Sequence, residues 1–249
     1  MPAITKCDLP QNLSAVNVGV DFQLRYGNMS DLRSTVLTTR LCLARHGETD
    51  WNSERRLQGQ TDIALNAQGE EQARQLAEAL HASGLSFDGI YTSSLLRALD
   101  TARPVATALG LNATVLPELQ ERHFGALQGL RMDEAAHINP GLWQVYLDRL
   151  PDHELDGGES LNQFAKRIQG ALRSLHRQHA GQTLLVIAHG GVLDTIYRIA
   201  SGQSMRTQRM VLVPNASLNW VNFDGETLSI ERWADTRHLS AVALDDLQY

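Results

Sequence analysis

The most constraining feature of this chain is an apolar run that ends abruptly in charged and small residues. Residues 41–44 read Leu-Cys-Leu-Ala, and Arg-His-Gly-Glu-Thr follows at once over residues 45–49. Such a run is typical of a buried strand, and Gly47 allows a tight turn that a side chain would block. The pattern therefore predicts a core strand that delivers Arg45 and His46 into a loop at its carboxyl end.

The charge beside His46 predicts the protonation state of this histidine. The guanidinium of Arg45 is permanently positive, and it disfavours a second positive charge on the neighbouring imidazole. We therefore expect His46 to be neutral, with a free lone pair on one ring nitrogen. A neutral imidazole beside a fixed cation is suited to attack on an anion.

A second strand of the same kind is predicted over residues 183–188. These residues read Thr-Leu-Leu-Val-Ile-Ala and end in His189, Gly190 and Gly191. A nearly continuous apolar run is typical of a strand buried on both faces. Strands alternate with helical patterns along the chain, so we expect an α/β three-layer sandwich, a mostly parallel sheet with helices on both faces. In such sheets the site lies beyond the carboxyl ends of the strands, where both histidines are expected.

Apolar periodicity predicts the other elements. Helices are expected over residues 67–83 with Asn66 as N-cap, over 96–109, and after Ser160. Pro104 is expected to kink the second helix or split it in two. Further strands are expected at 89–93 and 114–116, and a hairpin at 216–223 and 226–233 around Asp224 and Gly225.

The domain organisation is predicted from length and pattern. At 249 residues with 43% hydrophobic residues, the chain is long enough for one sizeable domain, expected over residues 39–249. Residues 1–38 show little periodicity and are expected to form a loose or peripheral extension; translation starting at Met29 is the alternative. Residues 130–158 are expected to form a lid-like insertion over the site.

Composition limits the partners and the compartment. A formal charge of −6 argues against a nucleic-acid binder, so any phosphate recognition must be local. Cys7 and Cys42 form neither a disulfide framework nor a metal cluster. With no apolar run near the ~18 residues of a membrane span and no signal peptide, we expect a cytoplasmic protein that does not contact a membrane.

Several motifs resemble those of one known family. Residues 45–49, followed by Trp51 and Asn52, resemble the signature of the histidine phosphatase superfamily, in the branch of the cofactor-dependent phosphoglycerate mutases and small-molecule phosphatases. Similar family motifs occur at residues 93–98, 118–129, 157–160 and 186–191, as Ser-Ser-Leu-Leu-Arg-Ala, Glu-Leu-Gln-Glu-Arg-His-Phe-Gly-Ala-Leu-Gln-Gly, Gly-Gly-Glu-Ser and Val-Ile-Ala-His-Gly-Gly. The resemblance extends from residue 41 to about residue 191 and implies a phosphoglycerate mutase-like fold.

The resemblance also implies the roles of individual residues. His46 is expected to be the nucleophile, Glu121 the proton donor, and His189, Arg45 and Arg97 the groups that stabilise the transferring phosphoryl group. The substrate contacts implied in this way are Arg45, Asn52, Gln58, Gly59, Arg97, His189 and Gly190. Two guanidiniums near the phosphoryl group replace the magnesium of other phosphotransferases, so neither metal nor cofactor is expected.

Departures from the mutase pattern favour a phosphatase. Residues 59–62 read Gly-Gln-Thr-Asp where the mutases typically have Gly-Trp-X-Asp, and the insertion has an acidic cluster, residues 152, 154 and 156, that would repel bisphosphoglycerate. The insertion also contains Trp143, Tyr146 and Arg149, and an aromatic, mildly apolar lid fits small esters. We therefore expect a metal-independent phosphomonoesterase acting on small phosphorylated metabolites, with the substrate as the expected partner and homo-oligomerisation left open.

Three alternatives stay open at this point. The first is a phosphoglycerate mutase, and the second is a catalytically inactive binding or scaffold member of the family. The third is a metal-dependent hydrolase, although no ligand spacing such as His-X-X-X-His supports it. Arg55 and Arg56 are interpreted as an exposed loop pair, and His123 as a solvated or locally bonded histidine.

Overall fold

A computed structural model describes residues 37–245 of the chain. The predicted N-terminal extension lies outside this range apart from its last two residues, and so does Met29. A mixed six-stranded sheet lies at the centre of the fold. The strands are β1 (Thr39–Arg45), β2 (Gly89–Thr92), β3 (Ala113–Val115), β4 (Thr183–Ala188), β5 (Leu218–Phe223) and β6 (Leu228–Asp235). Their order is β3-β2-β4-β1-β5-β6; β1 to β4 run parallel, and β5 and β6 pair antiparallel at one edge.

The register of the two central strands brings the two histidines together. β1 pairs with β4 so that Arg45 lies opposite Ala188. The main-chain N–H of His46 continues this ladder and donates to the carbonyl of Ala188, at 2.9 Å. His46 and His189 therefore leave the sheet side by side at the carboxyl ends of parallel strands, as predicted.

Seven helices accompany the sheet in the described residues. They are α1 (Asp50–Ser53), α2 (Ala67–Ala82), α3 (Leu96–Leu109), α4 (Met132–Ile138), α5 (Pro140–Leu147), α6 (Leu161–His179) and α7 (Gly190–Ser201). Alternate residues of β1 and β4 face opposite sides, so Leu43 packs with α6 and α7, while Ala44 packs with α2 and α3. This two-sided burial confirms the three-layer sandwich.

The predicted helix starts are confirmed by their capping contacts. Asn66 Oδ1 accepts the N–H of Gly69 at 2.8 Å at the start of α2. Ser160 and Gln163 form a reciprocal capping box at the start of α6, each side chain accepting the main-chain N–H of the other. Pro104 lies inside α3, which continues as one helix to Leu109 rather than splitting there.

The hairpin has a shorter first strand and a longer turn than predicted, and its second strand begins two residues later at Leu228. Ala216 adopts a φ of 55°, in the left-handed region, so β5 begins only at Leu218. The connection spans residues 224–227, because the carboxylate of Asp224 accepts the main-chain N–H groups of Glu226 and Thr227. The turn is therefore an aspartate-stabilised loop rather than a two-residue Asp-Gly turn.

The insertion consists of α4, α5 and the loop that leads to α6. Trp143 stacks on Tyr146 with ring centroids 5.1 Å apart, and Tyr146 meets Phe124 edge to face at 5.7 Å. Together with buried Leu127 and Leu155, these rings belong to a small apolar cluster separate from the two faces of the sheet. Within residues 37–245, no helix is both long and apolar enough to cross a membrane.

Candidate active site

A cavity opens beyond the carboxyl end of β1, and we call it the first chamber. The cavity and its open mouth together contain about 340 Å³ of empty space. Its lining residues are Arg45, His46, Asn52, Arg56, Leu57, Gln58, Gly59, Arg97, Glu121, Phe124 and Met132. Six of the residues named from the family resemblance thus meet in one cavity with the predicted acid.

His46 is held in one tautomer by its neighbour. Its Nδ1 lies 2.6 Å from the carbonyl oxygen of Gly47, which only accepts hydrogen bonds, so Nδ1 carries the proton and Nε2 keeps its lone pair. Burial, followed by the cations of Arg97 and Arg45, holds the pKa of His46 well below its usual range. The ring is therefore neutral at pH 7, as expected from the sequence.

Gly47 is required by packing and not by its backbone conformation. It does not have a positive φ, but a Cβ at this position would lie 2.5 Å from the carbonyl oxygen of Gly69 at the start of α2. The loop after His46 therefore lies directly against the first turn of that helix. The prediction of a small residue was right, and the reason is this close approach.

Arg45 and Arg97 bring two buried cations to the first chamber. Nη1 of Arg45 donates to the carbonyl of Val213 at 2.7 Å, and Arg97 donates to the carbonyls of Thr61 and Gly59 at 2.9 and 2.7 Å. Each side chain is 1% exposed. Main-chain carbonyls fix a guanidinium in place without cancelling its charge. The carboxylate of Asp245 lies 3.8 Å from Nη1 of Arg45 and offsets part of its charge. The two guanidiniums together are still expected to favour an anion.

The start of α3 is partly occupied by the chain's own charge. The main-chain N–H of Leu96 donates to the carboxylate of Asp62 at 2.7 Å. This N–H is therefore not available to a bound anion.

His189 lies behind His46 and outside the lining of the first chamber. The two ring centroids are 5.2 Å apart. Nε2 of His189 lies 2.8 Å from Oγ of Ser93, while Nδ1 has no hydrogen-bond partner in the described part of the chain. Burial, the Arg97 cation and then His46 hold the pKa of His189 well below its usual range.

Glu121 supplies a buried carboxyl group. Its Oε1 accepts the main-chain N–H of Arg122 and its Oε2 that of Gly191, each at 2.8 Å. Burial raises the pKa of Glu121, although these two N–H groups and the cations of Arg97 and Arg45 oppose that shift. The raised pKa favours the protonated form that a general acid needs.

Gly191, which the sequence analysis did not name as a site residue, contacts Glu121. Gly190 begins α7 and is absent from the lining of the first chamber, whereas Gly191 donates its N–H to Glu121. A Cβ on Gly191 would lie 2.3 Å from Oε1 of Glu121. The second glycine of the motif is therefore the one that leaves room for the carboxyl group.

Arg56 was misread as part of an exposed pair. It lines the first chamber, and its guanidinium donates to Glu54 at 2.5 Å and to the carbonyl of Gly129 at 3.0 Å. The sequence contains no spacing that distinguishes it from Arg55. The loop is held against the segment leading to α4 by the isolated bridge between Arg56 and Arg131 and by main-chain hydrogen bonds around it, such as that from Leu57 N–H to the carbonyl of Leu130.

A second cavity, which we call the second chamber, contains about 490 Å³ of empty space together with its open mouth. Its lining residues are Glu121, Arg122, Phe124, Tyr146, Arg149, Leu161, Phe164, Gly191, Asp194, Thr195 and Arg209. Of its three arginines, Arg122 belongs to the motif at residues 118–129 and Arg149 was noted as part of the insertion. Asp194 and Arg209 lie outside every recognised motif, so no pattern indicated them.

The predicted acidic mouth is wrong. Asp152 accepts a hydrogen bond from Asn162 and Glu154 from Gln163, so both carboxylates cover the start of α6. Neither of them, nor Asp156, lines either chamber. The wall contributed by the insertion is formed instead by Tyr146 and the cation Arg149. Residues 37–245 contain no group of three or more His, Cys, Asp and Glu side chains arranged to hold a metal ion.

Comparisons with known proteins agree with this geometry. The model of one protein family, described as the histidine phosphatase superfamily (branch 1), matches residues 41–236 of the chain. A relative from Arabidopsis thaliana, named metal-independent phosphoserine phosphatase, is 36% identical over 226 residues, covering 90% of this chain and 92% of the relative. Phosphoglycerate mutase-like protein 4 of the same plant is 35% identical, covering 80% of this chain and 86% of the relative.

A solved structure has the same fold over most of the chain. YhfR of Bacillus stearothermophilus superposes with a TM-score of 0.73 at 29% sequence identity. The match covers 80% of this chain and 98% of that one. The shared region therefore includes nearly the whole of the solved protein.

Proposed function

The chain belongs to branch 1 of the histidine phosphatase superfamily, and we propose that its first chamber hydrolyses phosphate monoesters of small metabolites through a phosphohistidine at His46. The relative named a metal-independent phosphoserine phosphatase supports a phosphatase that acts on small phosphorylated molecules. One observation carries the proposal: neutral His46 lies beside the cations of Arg45 and Arg97, in a cavity that also contains the buried acid Glu121.

In the first step, Nε2 of His46 donates its lone pair to phosphorus, and the bond between phosphorus and the leaving oxygen breaks. Glu121 passes its carboxyl proton to that oxygen, so the alcohol departs as a neutral molecule. Because the carbonyl of Gly47 holds the Nδ1 proton, the ring attacks without first losing a proton. The step leaves a phosphohistidine and the carboxylate of Glu121.

In the second step, water attacks the phosphorus and the phosphorus–nitrogen bond breaks, returning the electron pair to Nε2 of His46. The carboxylate of Glu121 accepts one proton from this water. Inorganic phosphate leaves, and both side chains return to their starting protonation states. The same carboxyl group thus serves as acid in one step and base in the next.

Arg45 and Arg97 are proposed to bind the non-transferring oxygens of the phosphoryl group. Phosphoryl transfer requires mainly alignment and neutralisation of these oxygens. A pair of unit charges ~4 Å apart at an effective dielectric of ~20 interacts by ~4 kcal/mol. His189 is proposed to donate from Nδ1 to the same group, and Asn52 and Gln58 to contact it from the chamber wall.

The proposal is tested by measuring phosphate release in the presence of excess chelator. The full-length chain is expected to release phosphate from p-nitrophenyl phosphate and small alkyl phosphates at the same rate with and without chelator. The enzyme denatured at alkaline pH during turnover is expected to carry phosphate that is stable to base and released by acid, as a phosphohistidine requires. Loss of all activity on chelation, or no phosphoenzyme in a chain that turns over, would contradict the mechanism.

A phosphoglycerate mutase is the second candidate, favoured by the relative named phosphoglycerate mutase-like protein 4. A mutase returns the phosphoryl group to a second hydroxyl instead of to water. Bisphosphoglycerate-primed conversion of 3- to 2-phosphoglycerate, measured beside phosphate release, separates the two activities. Fast isomerisation with little free phosphate would replace the phosphatase by the mutase.

A further inference from the structure

Three neighbouring strands of the sheet each end in a polar residue at the same edge. β2, β4 and β1 lie side by side and run parallel, and the residues that directly follow them are Ser93, His189 and His46. The main-chain N–H of Ser93 donates to the carbonyl of Ile187 at 3.1 Å, and that of His46 donates to the carbonyl of Ala188 at 2.9 Å. Both residues therefore continue the ladders to β4, and the sheet fixes them beside His189.

A hydrogen bond joins the side chains of Ser93 and His189 away from water. Oγ of Ser93 lies 2.8 Å from Nε2 of His189, and both residues are fully buried. The ring of His189 lies in turn 5.2 Å from that of His46, measured between their centroids. Ser93 lines neither chamber. It therefore reaches the nucleophile only through His189.

The hydrogen-bond partners of Ser93 determine which ring nitrogen of His189 carries the proton. Oγ of Ser93 accepts the main-chain N–H of Leu95 at 3.3 Å, and among residues 37–245 its one other hydrogen-bond partner is Nε2 of His189. If Nε2 carried the proton, the buried hydroxyl hydrogen of Ser93 would have no acceptor, which costs free energy. If Nε2 accepts instead, both the hydroxyl hydrogen and Nε2 are satisfied. The proton of the neutral ring is then on Nδ1.

The other ring nitrogen of His189 is left for the substrate. Nδ1 is buried and has no hydrogen-bond partner in the part of the chain that the structure describes. A buried donor without a partner favours the binding of an acceptor, and the proposed function brings the oxygens of a phosphoryl group beside His46. In the opposite tautomer, Nδ1 would present a lone pair to these oxygens and repel them.

From these contacts we infer that Ser93 is a positioning residue for phosphoryl transfer: its hydroxyl donates to Nε2 of His189 and holds Nδ1–H toward the phosphoryl group. The inference rests on the proposed function, because it takes His189 as a donor to that group. The same bond fixes the orientation of the ring, since a ring turned by half a rotation would place a carbon against the hydroxyl. Ser93 itself does not touch the substrate.

The chain contains a second buried pair of a hydroxyl and a histidine, far from both chambers. Oγ1 of Thr39 lies 3.0 Å from Nδ1 of His176 at the amino end of β1, and Thr39 is fully buried. Removal of this hydroxyl abolishes the same kind of hydrogen bond without a change near His46. Thr39→Val is therefore the matched control for Ser93→Ala.

Ring-nitrogen NMR of the isotope-labelled, full-length chain tests the tautomer without turnover. The wild type is expected to show a protonated Nδ1 and an unprotonated Nε2 for His189. In Ser93→Ala, Nε2 loses its donor, so the proton should move at least partly to Nε2. Thr39→Val should leave the His189 signals unchanged. A protonated Nε2 in the wild type, or an unchanged tautomer in Ser93→Ala, overturns the inference.

Phosphate release tests the consequence for the reaction. Ser93→Ala is expected to lower kcat/KM roughly tenfold to a hundredfold. The factor should be the same on p-nitrophenyl phosphate and on small alkyl phosphates, because the weakened contact is to the phosphoryl group and not to the leaving group. Thermal denaturation verifies folding. Thr39→Val should lose stability but not activity, and the same result for Ser93→Ala overturns the inference.

A double-mutant cycle shows whether Ser93 acts through His189. In a His189→Ala background, Ser93→Ala should cause less than about a twofold further loss, because the group that it positions is already absent. Full additivity of the two losses overturns the inference. If His189→Ala does not fold, the spectra and kinetics of Ser93→Ala decide; if Ser93→Ala does not fold, the wild-type spectrum decides.

The measurements separate this inference from the proposed function. Phosphate release by the wild type together with a protonated Nε2 on His189 overturns the role of Ser93 and leaves the proposed function standing. Absence of phosphate release from every substrate contradicts the proposed function itself, and with it the role of Ser93 in phosphoryl transfer.

Discussion

The two chambers meet at Glu121 but are built from different parts of the fold. In the first chamber, Arg45 and His46 come from the carboxyl end of β1 and Arg97 from the first turn of α3. In the second chamber, Arg149 follows α5 and Arg209 lies between α7 and β5. The first set is fixed by the hydrogen-bonded sheet and its adjoining helix, and the second set depends on loops.

This difference separates chemistry from selectivity. A sheet ladder places its strand ends rigidly, which suits groups that must align with a reacting phosphorus. Loops vary in length and composition without disturbing the core, so they are suited to recognising the part of the substrate that does not react. Changes in the first chamber should therefore affect every substrate, whereas changes in the second should depend on the leaving group.

Removal of the nucleophile should produce the largest effect. His46→Ala is expected to lower phosphate release roughly 10⁴-fold or more on all substrates, because no phosphohistidine forms. Acid-labile phosphate on the enzyme should disappear at the same time. His81→Ala is the matched control, since His81 contacts the carbonyl of Ala108 far from both chambers. A loss confined to one class of leaving group would remove His46 from the general chemistry.

Removal of the acid should have a smaller effect that depends on the leaving group. Glu121→Gln is expected to lower kcat roughly 100- to 10,000-fold on alkyl phosphates, because the departing alkoxide lacks a proton. The loss on p-nitrophenyl phosphate should be much smaller, since nitrophenolate leaves without protonation. Equal losses on both substrates would show that Glu121 is not the proton donor.

Replacement of Asp245 should affect both chambers at once, because its carboxylate contacts an arginine of each. Its carboxylate pairs with Arg209 at 2.8 Å and lies 3.8 Å from Nη1 of Arg45. Asp245→Asn is expected to lower kcat/KM about tenfold on p-nitrophenyl phosphate and on alkyl phosphates alike, and the free energy of unfolding by about 3 kcal/mol. Steady-state kinetics and urea unfolding check this. Asp100→Asn, which alters a surface ion pair with Arg103, is the control.

If Asp245→Asn affects only one of these two kinds of substrate, Asp245 belongs to the second chamber alone. An equal loss on both kinds of substrate makes it a positioning residue that couples the two sets of cations. The ratio of the two losses therefore shows how independent the chambers are.

Of these changes, lowering the pH into the mildly acidic range should have the smallest effect on kcat/KM. A histidine with the usual pKa near 6.5 is about three-quarters protonated at pH ~6, but the pKa of His46 lies well below that value. We expect kcat/KM to change less than about twofold between pH ~7 and ~6. Ring-proton NMR of His46 provides a direct check, and a midpoint near 6.5 would contradict the neutral nucleophile.

The lowered pKa of His46 also makes the free energy of unfolding depend on pH. The unfolded histidine takes up a proton below about pH 6.5, whereas the folded one does not until its lower pKa is reached. The free energy of unfolding should therefore fall as the pH drops below about 6.5. Urea unfolding of the wild type and His46→Ala at several pH values measures this contribution.

Most of the first chamber was predictable from sequence because its residues are tied to strand ends. The apolar runs ending at Arg45 and at Ala188 predicted two parallel strands, and parallel strands place their following residues at one edge. Two contacts were not predicted, because they depend on tertiary packing rather than on local pattern. Arg56 reaches the chamber through a loop contact, and Gly191 donates to Glu121 from the first turn of α7.

The sequence by itself determined the three-layer sandwich and the positions of His46 and His189, because strand burial and short motifs are local properties of the chain. Only the tertiary structure decided the lining of the second chamber. Arg149, Asp194 and Arg209 are far apart in sequence and belong to no periodic pattern, so their approach depends on how the insertion, α7 and the loop before β5 pack. Local periodicity specifies elements, whereas charge clusters between loops arise only when those elements are assembled.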